Sequence, residues 1–152
     1  MYEEERSVIL MADDDSEDCE LTIEALRENN FTGDVRFVHD GLELLDYLKH
    51  RNGYSEESSA PRPVLIFLDL NMPRLSGYDA LDAIRSDPEI SEIPVVILTT
   101  STTDEDVRRA YSAGAQSFIT KPNTFGRFVD QMDILRRYWS EVSVTPSGKS
   151  LT

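Results

Sequence analysis

The stretch VILMADDDSED, residues 8–18, passes from an unbroken apolar run straight into a crowd of acids. Val8, Ile9, Leu10, Met11 and Ala12 are too few for a helix, and they suit a strand covered on both faces. Asp13, Asp14, Asp15, Glu17 and Asp18 follow, with only Ser16 between them. Like charges gathered at a strand end repel one another. Burying any one of them costs on the order of several kcal/mol. Something must offset that cost.

Working outward, similar short runs recur. SVILMA (7–12), VRFV (35–38), VLIFL (64–68), VVILT (95–99) and SFIT (117–120) read as five strands. Helical spacing fills the gaps between them. Cys19, Thr22 and Leu26 share a face, with Leu21 and Ala25 beside them. Leu42, Leu45 and Leu48 are expected to share another, Leu81 and Ile84 a third, and Val107, Ala110, Tyr111 and Gly114 a fourth. Phe128, Met132, Leu135 and Trp139 make the clearest stripe, read as packing residues of a last helix. Strands that alternate with helices imply a doubly wound α/β domain, because parallel strands need crossover connections. The polar segment RNGYSEESSAPRP (51–63) is a long connection. Residues 1–140 are expected to form one domain, followed by an aperiodic tail, EVSVTPSGKSLT (141–152), with no output domain.

Composition excludes several function classes. At 152 residues with 39% hydrophobic and 29% charged residues the chain is globular. A formal charge of −14 argues against nucleic acid and against an anionic membrane surface. One cysteine, Cys19, cannot form an internal disulfide and is read as a core-edge residue. The acidic start MYEEERS is unlike a signal peptide, and no apolar run reaches membrane-spanning length. The expected location is cytoplasmic.

In open α/β sheets the working site lies beyond the carboxyl ends of the strands. Asp13 and Asp14 end the first strand, Asp69 the third, Thr99 and Thr100 the fourth, and Thr120, Lys121 and Pro122 the fifth. Carboxylates clustered there are tolerable around a hard divalent cation, and oxygen-only ligation suits Mg²⁺. A carboxylate beside such a cation is a nucleophile towards phosphorus. Lys121 and the Thr99 hydroxyl are placed to receive phosphoryl oxygens. Phosphoryl transfer asks chiefly for such positioning and charge stabilisation.

With these residues assembled, the chain resembles CheY-like response-regulator receiver domains from about Val8 to Trp139. The matching motifs are Asp13–Asp14, LDLNMP around Asp69, SGYDAL from Ser76, ILTTS around Thr99 and FITKP around Lys121. The resemblance implies a flavodoxin-like (βα)5 fold with sheet order 2-1-3-4-5. It implies that Asp69 accepts a phosphoryl group from a phosphohistidine of a sensor histidine kinase. It further implies Mg²⁺ held by Asp13, Asp14, Asp69 and the backbone carbonyl of Asn71, a switch pair Thr99 and Phe118, and a cis Lys121–Pro122 bond. The residue after the switch threonine is usually small in that family. Here it is Thr100, which narrows access to Asp69 and bears on rates rather than on the site's identity. The long 51–63 connection, LTTS and the RRYW end look like single-domain regulators that partner bacterial and cyanobacterial phytochromes. Signals would then leave through protein contacts, to a downstream partner or phosphotransfer protein. Homodimerisation through the fourth helix, fifth strand and fifth helix is expected.

Blander readings fall to several residues. Asp15 and Asp18 are read as helix-start acids, one of them near the N-cap, and Glu17 as solvated. A calcium loop is rejected: Asp13, Asp15 and Glu24 fit its first, third and twelfth positions, but Asp18 stands where the turn needs Gly. His39 and His50 lie outside the motifs. A Mg²⁺-dependent phosphatase with Asp69 as nucleophile is the alternative function. It typically wants an acid two residues on, where this chain has Asn71. A flavin module would need a phosphate-binding turn after the first strand, and here that turn is acidic.

Overall fold

The computed structural model describes residues 7–56, 59–100, 103–122 and 124–142. Its elements alternate: β1 (Val8–Ala12), α1 (Ser16–Glu28), β2 (Asp34–Val38), α2 (Gly41–Leu48), β3 (Leu65–Leu68), α3 (Gly77–Ser86), β4 (Val95–Thr99), α4 (Asp104–Ser112), β5 (Ser117–Thr120) and α5 (Phe125–Val142). The strands form one parallel sheet in the order β2-β1-β3-β4-β5, the order the resemblance implies. Each expected strand is present.

Side chains alternate across this sheet and build a core on each face. Ile9, Met11, Leu65, Phe67, Val96 and Leu98 pack with Cys19, Ala25, Leu26, Phe128 and Met132 of α1 and α5. Leu10, Ala12, Ile66, Leu68, Val95 and Ile97 pack with Leu44, Leu48, Leu81, Ile84 and Ala110 of α2, α3 and α4. β1, β3 and β4 are therefore buried along their whole length, which is why they read as continuous apolar runs.

Helix starts carry side-chain caps. Asp15 accepts from the Glu17 N–H, Asp40 from Glu43, Ser76 from Asp79 and Thr103 from Asp106. Asp15 is thus the N-cap acid expected near that point. Two helical stripes differ from expectation. Leu42 is 39% exposed, and Gly41, Leu44, Leu45 and Leu48 make the buried face of α2 instead. In α4 only Ala110 is buried, while Tyr111 is 48% exposed and its hydroxyl accepts from the Phe118 N–H. α4 lies at the sheet edge against β5, so a narrow stripe suffices to seat it. Residues 141 and 142, assigned to the tail, continue α5, whereas 143–152 and the Trp139 side chain lie outside the described residues. Among the described residues no helix is long and apolar enough to cross a membrane.

Candidate functional site

The parallel register delivers the site. Ala12 pairs with Leu68, so Asp13 and Asp69 emerge side by side, and Asp69 N–H donates to the Ala12 carbonyl at 3.0 Å. Thr99 pairs with Thr120, and the Lys121 N–H donates to the Thr99 carbonyl at 2.7 Å. Asp13, Asp69 and Lys121 continue, by alternation, the α1/α5 side of their strands. Thr99 and Phe118 continue the opposite side, where Phe118 packs against the α2–α4 core.

Oxygens of Asp13, Asp14 and Asp69 all lie within 4.8 Å of one another. Asp13 is fully buried, Asp69 is 9% exposed, and Asp14 faces solvent. Three carboxylate oxygens converging at that range, one reachable from outside, suit a hard cation that keeps part of its water shell. The donor set fits a metal. Asn71 adjoins it, its N–H lying 3.5 Å from Asp69 Oδ1.

Lys121 supplies the counter-charge. Its Nζ lies 2.7 Å from Asp13 Oδ2, 2.6 Å from Asp18 Oδ2 and 3.8 Å from Asp69 Oδ2. Burial opposes its charge, but the bonds to Asp13 and Asp18 outweigh this and hold its pKa above the ordinary lysine value. Burial likewise raises the pKa of Asp13, against Lys121 and the Asp15 N–H. Asp69 is raised by burial too, against Lys121, the Asn71 N–H and the Thr99 hydroxyl. Desolvation pushes the Cys19 thiol up to about 12, which fits its place as a buried core residue rather than a nucleophile.

The structure thus brings Asp13, Asp14, Asp69, Thr99 and Lys121 together and leaves Phe118 on the far side of β5. The resemblance-based cis bond is a correction: no peptide bond described is cis, so Lys121–Pro122 is trans. Trans is the intrinsically favoured isomer by about 0.5–1 kcal/mol, and from it Lys121 already reaches Asp13 and Asp18. Two residues gain roles from the structure. Asp18 is a Lys121 partner rather than only a helix-start acid. At Gly77 a Cβ would stand 2.3 Å from the Asp69 carbonyl oxygen, so only glycine lets α3 begin against the Asp69 loop. The SG pair before an apolar-periodic run was its available signal.

Comparison with known proteins agrees with this geometry. Residues 9–133 match the family described as response regulator receiver domain. The chain is 37% identical over 136 residues, 90% of itself and 85% of the relative, to the probable methanogenesis regulatory protein FilR2 of Methanothrix harundinacea. It is 32% identical to the phosphorylated cyanobacterial phytochrome response regulator RcpA (TM-score 0.84; 93% of this chain and 99% of that one). To a Mn²⁺-bound form of the response regulator Rcp1 it is 31% identical (TM-score 0.81; 92% and 99%).

Proposed function

Because the chain belongs to the response regulator receiver domain family, we propose that Asp69 is its phosphoacceptor, within a phosphorelay from a sensor histidine kinase of phytochrome type. One observation carries the assignment: Asp69 is a nearly buried carboxylate at a central strand end, within 4.8 Å of the Asp13 and Asp14 oxygens and 3.8 Å from an ammonium. An Asp69 carboxylate oxygen attacks the phosphorus of a phosphohistidine. The new P–O bond forms as the P–N bond breaks, and the imidazole leaves with that electron pair and takes up a proton. Asp13, Asp14, Asp69 and the Asn71 backbone carbonyl would hold Mg²⁺, which when bound would supply neutralisation of phosphoryl charge. Lys121 and Thr99 receive the remaining phosphoryl oxygens. The likeness to a phytochrome response regulator supports the choice of kinase. The protein is a switch, not a turnover enzyme: Asn71 offers no general acid to speed release. We place the protein in the cytoplasm, with the receiver running to the end of α5 at Val142.

Output follows from the two sides of the sheet. A phosphoryl group adds about 1.5–2 negative charges. Drawing Thr99 towards it frees space on the side where Phe118 packs, and Phe118 borders the face of α4, β5 and α5 through which a second copy or a downstream partner docks. Such a shift needs roughly 3–5 kcal/mol of differential stabilisation, within reach of charge-assisted hydrogen bonds at about 1.5–3 kcal/mol each.

The test is phosphotransfer from candidate kinases to wild type and to Asp69→Asn, with the modified residue mapped by mass spectrometry. Labelling is expected in wild type alone; label that survives the substitution or maps elsewhere removes the assignment. Beryllofluoride is expected to change self-association or kinase affinity in wild type, and Thr99→Ala to lose that response while still accepting phosphoryl. A full response in Thr99→Ala would rule out this switch.

A further inference from the structure

We propose that Asp18 is a positioning residue, holding the Lys121 ammonium on the α1 side of the acidic edge and off the Asp69 carboxylate until a phosphoryl group draws it away. The proposal rests on the phosphoacceptor reading. An ammonium has three donors and no acceptor. In Lys121 two of them are engaged, with Asp18 Oδ2 at 2.6 Å and Asp13 Oδ2 at 2.7 Å, whereas Asp69 Oδ2 at 3.8 Å lies beyond hydrogen-bond range. Of the three carboxylates that pair with Lys121, the acceptor is therefore the one it touches least.

Asp18 differs from the other acids here. It sits in the first turn of α1, its side chain 28% exposed, outside the trio whose oxygens converge. Its carbonyl accepts from Thr22 Oγ1 at 2.8 Å, within the regular turn of the helix, so its backbone is fixed while its carboxylate stays directed at Lys121. When Asp13 is committed to a cation, Asp18 is the remaining holder of the ammonium. A recess of about 40 Å³, whose lining includes Asp18, Thr22, Leu98 and Pro122, adjoins Lys121. A dianionic phosphoryl group on Asp69 outbids a single carboxylate for it, so the Asp18 contact is a cost that phosphorylation must overcome.

The measurement is the beryllofluoride concentration that half-saturates the protein at saturating Mg²⁺, by calorimetry, for wild type, Asp18→Asn, Asp18→Glu, Lys121→Met and the Asp18→Asn/Lys121→Met pair. Asp18→Asn is expected to bind about fivefold more tightly, the effect of one partly exposed ion pair. Asp18→Glu should stay within about twofold of wild type, and Asp18→Asn should change nothing once Lys121 is Met, as a coupled pair requires. Unchanged or weaker binding in Asp18→Asn, or tightening that persists without Lys121, would overturn the role of Asp18 and leave Asp69 as acceptor. A wild type that neither binds beryllofluoride nor labels at Asp69 would overturn both readings.

Discussion

Arg85 and Lys121 are both half-buried cations at opposite ends of the sheet, and they are handled differently. Arg85 sits at the amino-terminal end of β4 and β5, where its guanidinium donates to the carbonyls of Gly114 at 2.9 Å, Ser91 at 2.9 Å and Ile93 at 2.8 Å. Burial lowers its pKa, and its hydrogen-bond partners among the described residues are neutral carbonyls. Gly114, at φ +103°, lies flat against that side chain, where a Cβ would come within 2.9 Å. Among the described residues, the Lys121 ammonium instead has carboxylates as its ion-pair partners: Asp13, Asp18 and Asp69. A planar fork on fixed carbonyls has one geometry and acts as a staple. A flexible ammonium among several acids can exchange partners, which is what a switch requires.

The contrast is broken most severely at the acidic end. Asp13→Asn/Asp14→Asn should lower phosphotransfer by about 100-fold or more, since a catalytic cation contributes several kcal/mol. The same variant should be more stable than wild type without metal, because burial already disfavours the Asp13 charge. Thermal unfolding with and without Mg²⁺ checks both parts: wild type should gain stability with the metal, and the variant should not.

At the opposite end the effect should fall on stability alone. Arg85→Ala leaves three carbonyls short of a donor and is expected to cost about 2–4 kcal/mol in denaturant unfolding. Labelling of the folded protein should persist. Loss of labelling without loss of stability would mean that the two ends are not separable.

The smallest expected effect concerns pH. Burial works against the Glu43 charge, but the Tyr54 hydroxyl at 2.6 Å and the His39 N–H at 2.7 Å outweigh it, so its carboxyl titrates below 4.5. A depressed carboxyl contributes stability that is present above 4.5 and lost as pH falls through the folded value. Asp13 and Asp69, raised above 3.8, act oppositely: their contribution is present below 3.8 and is lost as pH rises through their folded values. Tyr54→Phe should therefore cost about 1 kcal/mol at neutral pH and less below pH 4.5. An equal loss at both pH values would deny Glu43 this role.

The sequence by itself determined the strands, their order of appearance and the residues at their ends. β1, β3 and β4 are wholly buried, so apolar runs mark them without periodicity, and the acids that stop β1 and β3 converge. It was less informative wherever a helix face was chosen by its neighbours. Leu42 and Leu44 are equally apolar, and only the seat of α2 over the sheet decides that Leu44 is buried and Leu42 is not. Tyr111 keeps helical spacing with Ala110, yet β5 draws its hydroxyl to the Phe118 N–H at the sheet edge. Asp18 is the sharpest case. In the sequence it is one acid among several at a helix start, 103 residues from Lys121. Tertiary structure alone decided that it holds the ammonium, because ion pairing depends on distance in space, and the packing of α1 beside α5 brings the two residues together.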